Sequence, residues 1–157
     1  MTEGSSREQL FSTLLRYQLS ASSSYILGKP VMIKFILENF SDENIRILTW
    51  YTPLEGLKGK IFKVTCDGKE IPYEGRMIKR GNPTLDDYIN VVPKGSVSAE
   101  VDLSSAYNLS ICNECRVEFK GRIHDIISGE APIPQERDEQ RWIDIPGNSV
   151  VFQIVSS

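Results

Sequence analysis

The sequence contains a single histidine, His124, in 157 residues. A zinc site of the HExxH type needs two imidazoles one helical turn apart, so this chain lacks the residues for such a centre. A serine triad around His124 and Asp125 has no marked nucleophile, because the sequence contains no GxSxG elbow. We therefore expect His124 on the surface or on an edge strand, and a protein that is not an enzyme.

Long apolar runs and basic runs are also missing. No apolar run approaches the ~20 residues that span a bilayer, and the first eight residues carry acids where a signal peptide has a cationic start. The 18 Lys and Arg residues are dispersed among 21 Asp and Glu residues, and the net charge is −3. Phosphate binding needs a concentrated positive face. We expect a cytosolic protein, provided that no leader has been removed, which binds neither membranes nor nucleic acids.

Cysteine is scarce, with three residues in the chain: Cys66, Cys112 and Cys115. An odd count is more typical of a reducing compartment than of a disulfide framework. The motif Cys112-Asn113-Glu114-Cys115 could supply half of a tetrahedral zinc site, but the sequence has no second CxxC to complete it. A metal site, a redox-labile disulfide and a reduced pair in a turn remain open for Cys112 and Cys115. We favour the reduced pair and expect no cofactor.

Period-two alternation of apolar and polar residues runs along most of the chain, and this pattern predicts strands with one buried face. Asp67-Gly68 follows one such run and predicts a type I′ hairpin turn, with residues 69–73 returning beside residues 61–66. The predicted inward-facing residues of the clearest runs are Leu15, Tyr17, Leu19, Val31, Ile33, Phe35, Leu37, Phe62, Val64, Cys66, Val97, Ala99, Val101, Val117, Phe119, Val150, Phe152 and Ile154.

About seven to eight short strands, separated by Gly, Pro, Asn and Asp clusters, predict an all-β fold, an immunoglobulin-like antiparallel β-sandwich. A closed barrel is the alternative. We expect an N-terminal tail at residues 1–13 and a single sandwich domain at residues 14–157. Residues 125–147 are Pro-rich and charged, and predict a long loop of the kind that is usually functional or disordered.

The segment from Trp50 to Leu57 places large apolar side chains at the end of a predicted strand and in the loop that follows. Aromatic residues beside Pro and Gly can form an exposed anchor for a protein partner. Alternatively, Trp50 and Leu54 close one end of the core, which is the interpretation we favour. If the loop binds a partner, the residues expected to do so are Trp50, Tyr51, Pro53, Leu54 and Glu55.

Residues 28–39, 48–56 and 62–68 carry a resemblance, and its most specific part is the TWYTPLEG sequence at residues 49–56. These stretches resemble the non-catalytic N-terminal domain of deuterolysin-type (peptidyl-Lys, aspzincin) metalloendopeptidases. The resemblance implies a β-sandwich that precedes a zinc protease domain and covers or chaperones it. The HExxH helix of that protease is absent here, so no catalytic residue carries over. A looser similarity to intracellular proteinase inhibitors also implies a protease as the partner.

Two hypotheses of function follow. In the first, the chain is a non-catalytic binding module, a protease inhibitor or propeptide-like domain, whose loop blocks a cleft sterically. In the second, it is a structural or assembly domain that pairs through exposed strand edges with a partner or with a second copy of itself. The sequence leaves the oligomeric state open.

Overall fold

The computed structural model of the chain describes residues 14–78, 80–120, 122–128 and 143–156. The predicted tail at residues 1–13 therefore lies outside the described residues. Short 3₁₀-helices lie at Pro53–Glu55, Leu85–Asp87 and Leu103–Ser105. The described residues form thirteen strands: β1 (Leu15–Ser20), β2 (Ser24–Ile26), β3 (Met32–Asn39), β4 (Ile45–Leu48), β5 (Phe62–Cys66), β6 (Lys69–Glu70), β7 (Tyr88–Val91), β8 (Ser96–Asp102), β9 (Glu114–Phe119), β10 (Arg122–Ile123), β11 (Ile126–Ser128), β12 (Ile143–Asp144) and β13 (Val150–Val155).

Two main sheets carry the fold. One has the strand order β1-β3-β8, and the other has the order β2-β13-β9-β5-β6. Two smaller sheets have the strand orders β11-β4-β7 and β10-β12. The strand pairs are antiparallel, apart from the parallel pair of β13 with β2. This arrangement confirms the predicted all-β sandwich, although the short strands raise the count above seven or eight.

Aromatic side chains join the two main sheets. Tyr17 of β1 and Phe35 of β3 both contact Phe119 of β9, with ring centroids 5.1 and 5.2 Å apart. Phe62 of β5 contacts the same ring at 6.1 Å. Such ring pairs add about 0.5–1.5 kcal/mol each beyond the burial of their area. Phe119 therefore lies at the centre of the contact between the sheets.

The predicted alternation is confirmed along the opening strands. In β1 the residues Leu15, Tyr17 and Leu19 are buried and their neighbours are exposed. In β3 the buried residues are again every second one, and the register with β1 pairs Tyr17 with Leu37. The pattern holds because successive strand side chains point to opposite faces, of which one meets the other sheet.

The Asp67-Gly68 hairpin is also confirmed, with φ of 50° at Asp67 and 86° at Gly68. Both values lie in the left-handed region that a type I′ turn requires. The returning strand β6 is Lys69–Glu70, shorter than the predicted residues 69–73. The N–H of Ile71 still donates to the carbonyl of Val64 at 2.9 Å, but Pro72 has no N–H with which to continue the ladder.

Strands occupy both ends of the segment predicted as a loop at residues 125–147. Strand β11 pairs with β4, and β12 pairs with β10. Residues 129–142, between these strands, lie outside the described residues. The apolar runs at 126–127 and 143 are short, so the surrounding prolines and charges outweighed them in the sequence pattern. In the described part of the chain, no helix has the length and apolar character needed to cross a membrane.

Candidate functional site

The loop at residues 49–56 follows β4 and is held by its own hydrogen bonds. The hydroxyl of Thr52 donates to the carbonyl of Thr49 at 2.7 Å and accepts from the N–H of Leu54 at 3.1 Å. Pro53 occupies the first turn of the 3₁₀-helix, where its missing N–H costs nothing. Gly56 ends the turn with a φ of 90°, which favours glycine. The TWYTPLEG sequence thus encodes a defined capped turn.

Tyr51 has a φ of 62°, in the left-handed region. A bulky residue in this region costs of order 1–3 kcal/mol, and it persists only where surrounding contacts hold it. Here the N–H of Tyr51 donates to Oε2 of Glu55 at 2.7 Å. The same carboxylate therefore fixes the backbone of the strained residue.

Arg80 completes the loop from a distant part of the chain. Its Nη2 donates to Oε1 and Oε2 of Glu55 at 2.6 and 2.5 Å, and its guanidinium lies 4.9 Å from the Trp50 ring centroid and 5.4 Å from that of Tyr51. The side chains of Arg80 and Glu55 are 10% and 8% exposed. Sequence reasoning missed Arg80, because 25 residues separate it from Glu55 and no local pattern links them.

The five residues predicted to bind a partner have different positions. Trp50 is 5% exposed and Pro53 is buried, so Trp50 belongs to the interior, as the alternative prediction stated. Glu55 is half-buried as a residue, and its carboxylate is used within the loop. Tyr51 and Leu54 are half-buried and pack against the core from its edge. These two are therefore the members of the set with side-chain surface to offer.

Tyr51 lines a cleft of about 630 Å³. Its ring lies 4.5 Å from the ring of His124, which is half-buried between β10 and β11. The neighbouring Asp125 is buried and accepts a hydrogen bond from the hydroxyl of Tyr88 at 2.5 Å. We call this site the cationic cleft, and define it by Tyr51, Lys58, Lys60, Lys120, Arg122 and His124.

Backbone contacts bring the cations of the cleft together. Lys58 and Lys60 lie in the segment before β5, and Lys120 follows β9 directly. The N–H of Lys120 donates to the carbonyl of Ile61 at 3.2 Å, which joins the two segments. The pairing of Arg122 with Asp144 places β10 and β12 at the same rim. Sequence reasoning read these cations as dispersed, because they are separated along the chain and meet through sheet pairing.

The cysteines are arranged differently from the prediction. Cys112 forms a disulfide with Cys66, with Cα atoms 5.3 Å apart, and Cys115 is free and buried. Cys66 and Cys115 lie opposite each other in β5 and β9, and Cys112 lies in the turn before β9. The predictions of a Cys112–Cys115 metal site, a bond between those two residues and a reduced pair are therefore wrong. Register between distant strands, which CxxC spacing does not reveal, selects Cys66 as the partner.

The cysteine cluster has limited capacity for chemistry. Among the described residues, one group has potential metal-ligand atoms close together, those of Cys66, Asp67 and Cys112 within 4.8 Å. Its two sulfurs are bonded to each other and so are not thiolate ligands. Burial, with a smaller contribution from the charge of Asp67, raises the pKa of Cys115 to about 12. The arrangement is therefore structural.

Asp67 ties the hairpin turn to the disulfide-bearing turn. Its carboxylate accepts hydrogen bonds from the N–H of Glu114 at 2.8 Å and from the N–H of Asn113 at 3.1 Å. These two bonds lower the pKa of Asp67. The N–H of Asp67 in turn donates to the carbonyl of Glu114 at 2.9 Å. The disulfide and these hydrogen bonds to a charged carboxylate thus hold the same two turns together.

Comparison with known proteins gives partial matches. No family model matches the chain. It is similar to proteases. It is 27% identical to the "Extracellular protease" of Aeromonas hydrophila over 112 residues, which are 70% of this chain and 32% of that protein. It is 29% identical over 104 residues to the "Neutral protease 2 homolog" of Arthroderma gypseum, covering 65% of this chain and 29% of the relative.

A third relative is similar to this chain over a region of comparable length. The "Probable neutral protease 2 homolog A" of Trichophyton rubrum is 26% identical over 113 residues, which are 71% of this chain and 30% of the relative. The matches thus cover about a third of the length of these curated relatives. What they share with this chain is a minor part of each protease. The chain is therefore related to proteases through one region.

Proposed function

We propose that this chain is a non-catalytic domain that binds a protease. The observation that carries the proposal is the unequal coverage of the matches: about 70% of this chain corresponds to about 30% of the Aeromonas hydrophila relative. A region of that size leaves most of the protease outside the match. Together with the sandwich fold, this favours an accessory domain over a catalytic one.

Binding would be steric and would use the loop at residues 49–56. The Glu55–Arg80 ion pair and the Thr52 cap hold that loop in one conformation before any partner arrives. A rigid loop loses little conformational entropy on binding, so its contacts contribute more fully to affinity. Tyr51 and Leu54 would supply the contact surface, while Trp50 and Pro53 support it from inside.

The finer assignment is an inhibitor or propeptide-like domain related to the N-terminal part of deuterolysin-type metalloendopeptidases. The TWYTPLEG loop that carries this resemblance is the capped turn that opens onto the cationic cleft. The names of the two "neutral protease 2" relatives are compatible with it. Covering a protease cleft needs rigidity and shape and no reactive group of its own.

Titration of the purified chain into the Aeromonas hydrophila extracellular protease tests the proposal. We expect a complex on a sizing column and a fall in peptide hydrolysis that saturates with added chain. Trypsin, a protease of another class, serves as the specificity control. Tyr51→Ala should weaken the complex, whereas Met32→Ala, an exposed strand residue in the β1-β3-β8 sheet, should not. No complex and no inhibition would contradict the proposal.

The compartment in which the chain works is a related proposal. A cytosolic location remains a prediction from the sequence. The Cys66–Cys112 disulfide and the name of the Aeromonas hydrophila relative favour an oxidising compartment instead. Fractionation of the native host, followed by mass mapping of the disulfide, distinguishes the two. Recovery from the cytosol with three free thiols would support the cytosolic prediction.

Assembly through a strand edge is the second candidate function. Strand β2 lies at the edge of the five-stranded sheet, and its last residue, Ile26, and the following Leu27 are 44% and 46% exposed. An exposed apolar edge can pair with another strand. Light scattering over a dilution series tests this: a dimer that persists in Tyr51→Ala and dissociates in Ile26→Lys would favour assembly through the edge.

A further inference from the structure

Positive charge is concentrated in the cationic cleft although the whole chain carries a net charge of −3. Among the described residues that line it, four are Lys or Arg and one, Asp144, is an acid. Surface charges within about 8–10 Å of one another reinforce a common potential at physiological salt. The cleft is therefore suited to a negatively charged ligand.

Two of the four cations already have carboxylate partners at the surface. Lys60 lies 3.1 Å from Glu70, and Arg122 lies 3.1 Å from Asp144. The side chains of both pairs are between 43% and 64% exposed, and exposed pairs of this kind hold together weakly. Within the described residues, Lys58 and Lys120 have no ion-pair partner. These two exposed ammonium groups are available to a ligand.

The cleft also offers apolar surface next to its charges. Met77 is 82% exposed and Ile78 is 37% exposed, and both line the cleft together with Ile61 and Tyr51. A small inorganic anion would use the cations and leave this surface uncovered. A peptide that carries carboxylates beside an apolar side chain would use both. Flexible Met side chains suit such contacts, because they adapt to the shape of the partner.

Backbone strain also occurs at the cationic cleft, in Tyr51. Tyr51 holds a left-handed backbone conformation while its ring contacts His124 at the cleft wall. Strained residues concentrate at ligand clamps and functional sites, where the surrounding structure holds them. Here Glu55 and Arg80 hold Tyr51 from the interior side. The ring is thereby fixed at the rim before a ligand binds.

We propose that the cationic cleft binds an acidic segment of a protein partner, with carboxylates against Lys58 and Lys120 and an apolar side chain against Met77 and Tyr51. The inference rests on the proposed protein-binding function and specifies the chemistry of the partner surface. A nucleic acid fits less well. Its backbone needs a longer run of positive charge than the four cations of the cleft provide, and the apolar surface beside them would remain exposed. Carboxylates of the partner would displace the weak pairs at Lys60 and Arg122.

Fluorescence anisotropy with a labelled peptide tests the inference. The peptide carries several glutamates around a central leucine, and a matched peptide carries glutamine in their place. We expect the acidic peptide to bind at low ionic strength, and the glutamine peptide to bind at least about tenfold more weakly. Rising salt should weaken the acidic peptide further, because charge–charge attraction is screened.

Matched variants localise the binding. The double variant Lys58→Gln/Lys120→Gln removes the two available cations, and we expect about a tenfold loss of affinity. The control Lys29→Gln/Lys34→Gln removes the same charge from exposed lysines away from the cleft and should retain the affinity of the parent chain. Unchanged circular dichroism and unfolding midpoints verify that both variants fold. No binding by the parent chain, or equal losses in the two variants, would overturn the inference.

Inorganic phosphate and a single-stranded oligonucleotide serve as competing probes. Stronger binding of either one than of the acidic peptide would also overturn the inference, because it would show a general anion site. Complex formation with the Aeromonas hydrophila protease separates this result from the wider proposal. A protease complex that is unaffected by Lys58→Gln/Lys120→Gln would retain the protease-binding function and remove the cleft as its contact.

Discussion

The guanidinium of Arg80 donates hydrogen bonds to both carboxylate oxygens of Glu55, at 2.6 and 2.5 Å, and lies over the ring of Trp50. Arg80 thus forms an ion pair with Glu55 and a cation–π contact with Trp50. Glu55 in turn accepts a hydrogen bond from the N–H of Tyr51. Residues far apart in the chain thus share the task of fixing the loop. The conformation of the proposed binding loop therefore depends on Arg80, whose side chain is largely buried and is not part of the binding surface.

Removing one member of this pair should be costly. In Glu55→Ala, the largely buried side chain of Arg80 loses the Glu55 carboxylate and the N–H of Tyr51 loses its acceptor, so we expect the free energy of unfolding to fall by about 3 kcal/mol. Urea denaturation measures the change. In the control Glu70→Ala, the lost pair with Lys60 has side chains 44–45% exposed, and the fall should stay within about 1 kcal/mol. Equal falls in the two variants would contradict a special role for the Glu55–Arg80 pair.

The alternation of apolar and polar residues made much of the fold predictable, because a sheet with one buried face needs an apolar residue at every second position. Leu15, Tyr17 and Leu19 were assigned to the interior for this reason, and they are buried. The Asp67-Gly68 turn was predictable because few residue pairs accept two positive φ values. Both signals are local in sequence.

The candidate site depended on relationships that are not local. Arg80 reaches Glu55 across 25 residues. Lys58 and Lys120 line the same cleft because β5 pairs with β9. The same register brings Cys66 opposite Cys115 and beside Cys112. From the sequence spacing we therefore considered Cys112 together with Cys115, favoured a reduced pair, and interpreted the cations as dispersed. Strand register, which sets these contacts, was the missing information.

The Cys66–Cys112 bond should contribute strongly to stability. It closes a loop with a sequence separation of 46 residues, for which the chain-entropy model gives about 4 kcal/mol. We expect the double variant Cys66→Ala/Cys112→Ala to lose stability of this order in urea denaturation. Cys115→Ala, which removes a buried sulfur and no cross-link, should lose about 1 kcal/mol. Peptide mapping without reduction should recover a Cys66–Cys112 pair, and a Cys112–Cys115 pair would contradict the structure.

Asp67 should make stability depend on pH in the acid range. Hydrogen bonds from Glu114 and Asn113 lower its pKa below the ordinary value of 3.8. The carboxylate therefore stabilises the folded state above pH 3.8, and this contribution is lost as the pH falls through the lower folded-state pKa. Asp67→Asn keeps a residue that tolerates positive φ and removes the charge.

Comparing the parent chain with Asp67→Asn measures what the charge of the Asp67 carboxylate contributes to stability. We expect the parent chain to be more stable than Asp67→Asn at neutral pH, and the difference in unfolding free energy to shrink as the pH falls below 3.8. Urea denaturation at a series of pH values measures it. A difference that stays constant through the acid range would show that the charge of Asp67 does not stabilise the two turns.

Cys115 should be chemically silent in the folded protein. Burial raises its pKa from the ordinary value of 9.0 to about 12, so the thiolate that attacks thiol reagents is scarce across the neutral range. The same protonated state keeps Cys115 from attacking the adjacent Cys66–Cys112 bond, because thiol–disulfide exchange also needs a thiolate. We expect a thiol reagent at pH 9.0, the ordinary pKa of the group, to label about one thiol per chain rapidly in denaturant and very slowly in the folded state. Cys115→Ala should abolish the labelling under both conditions, and labelling at the same rate in the folded and unfolded chains would show that the thiol is neither buried nor shifted.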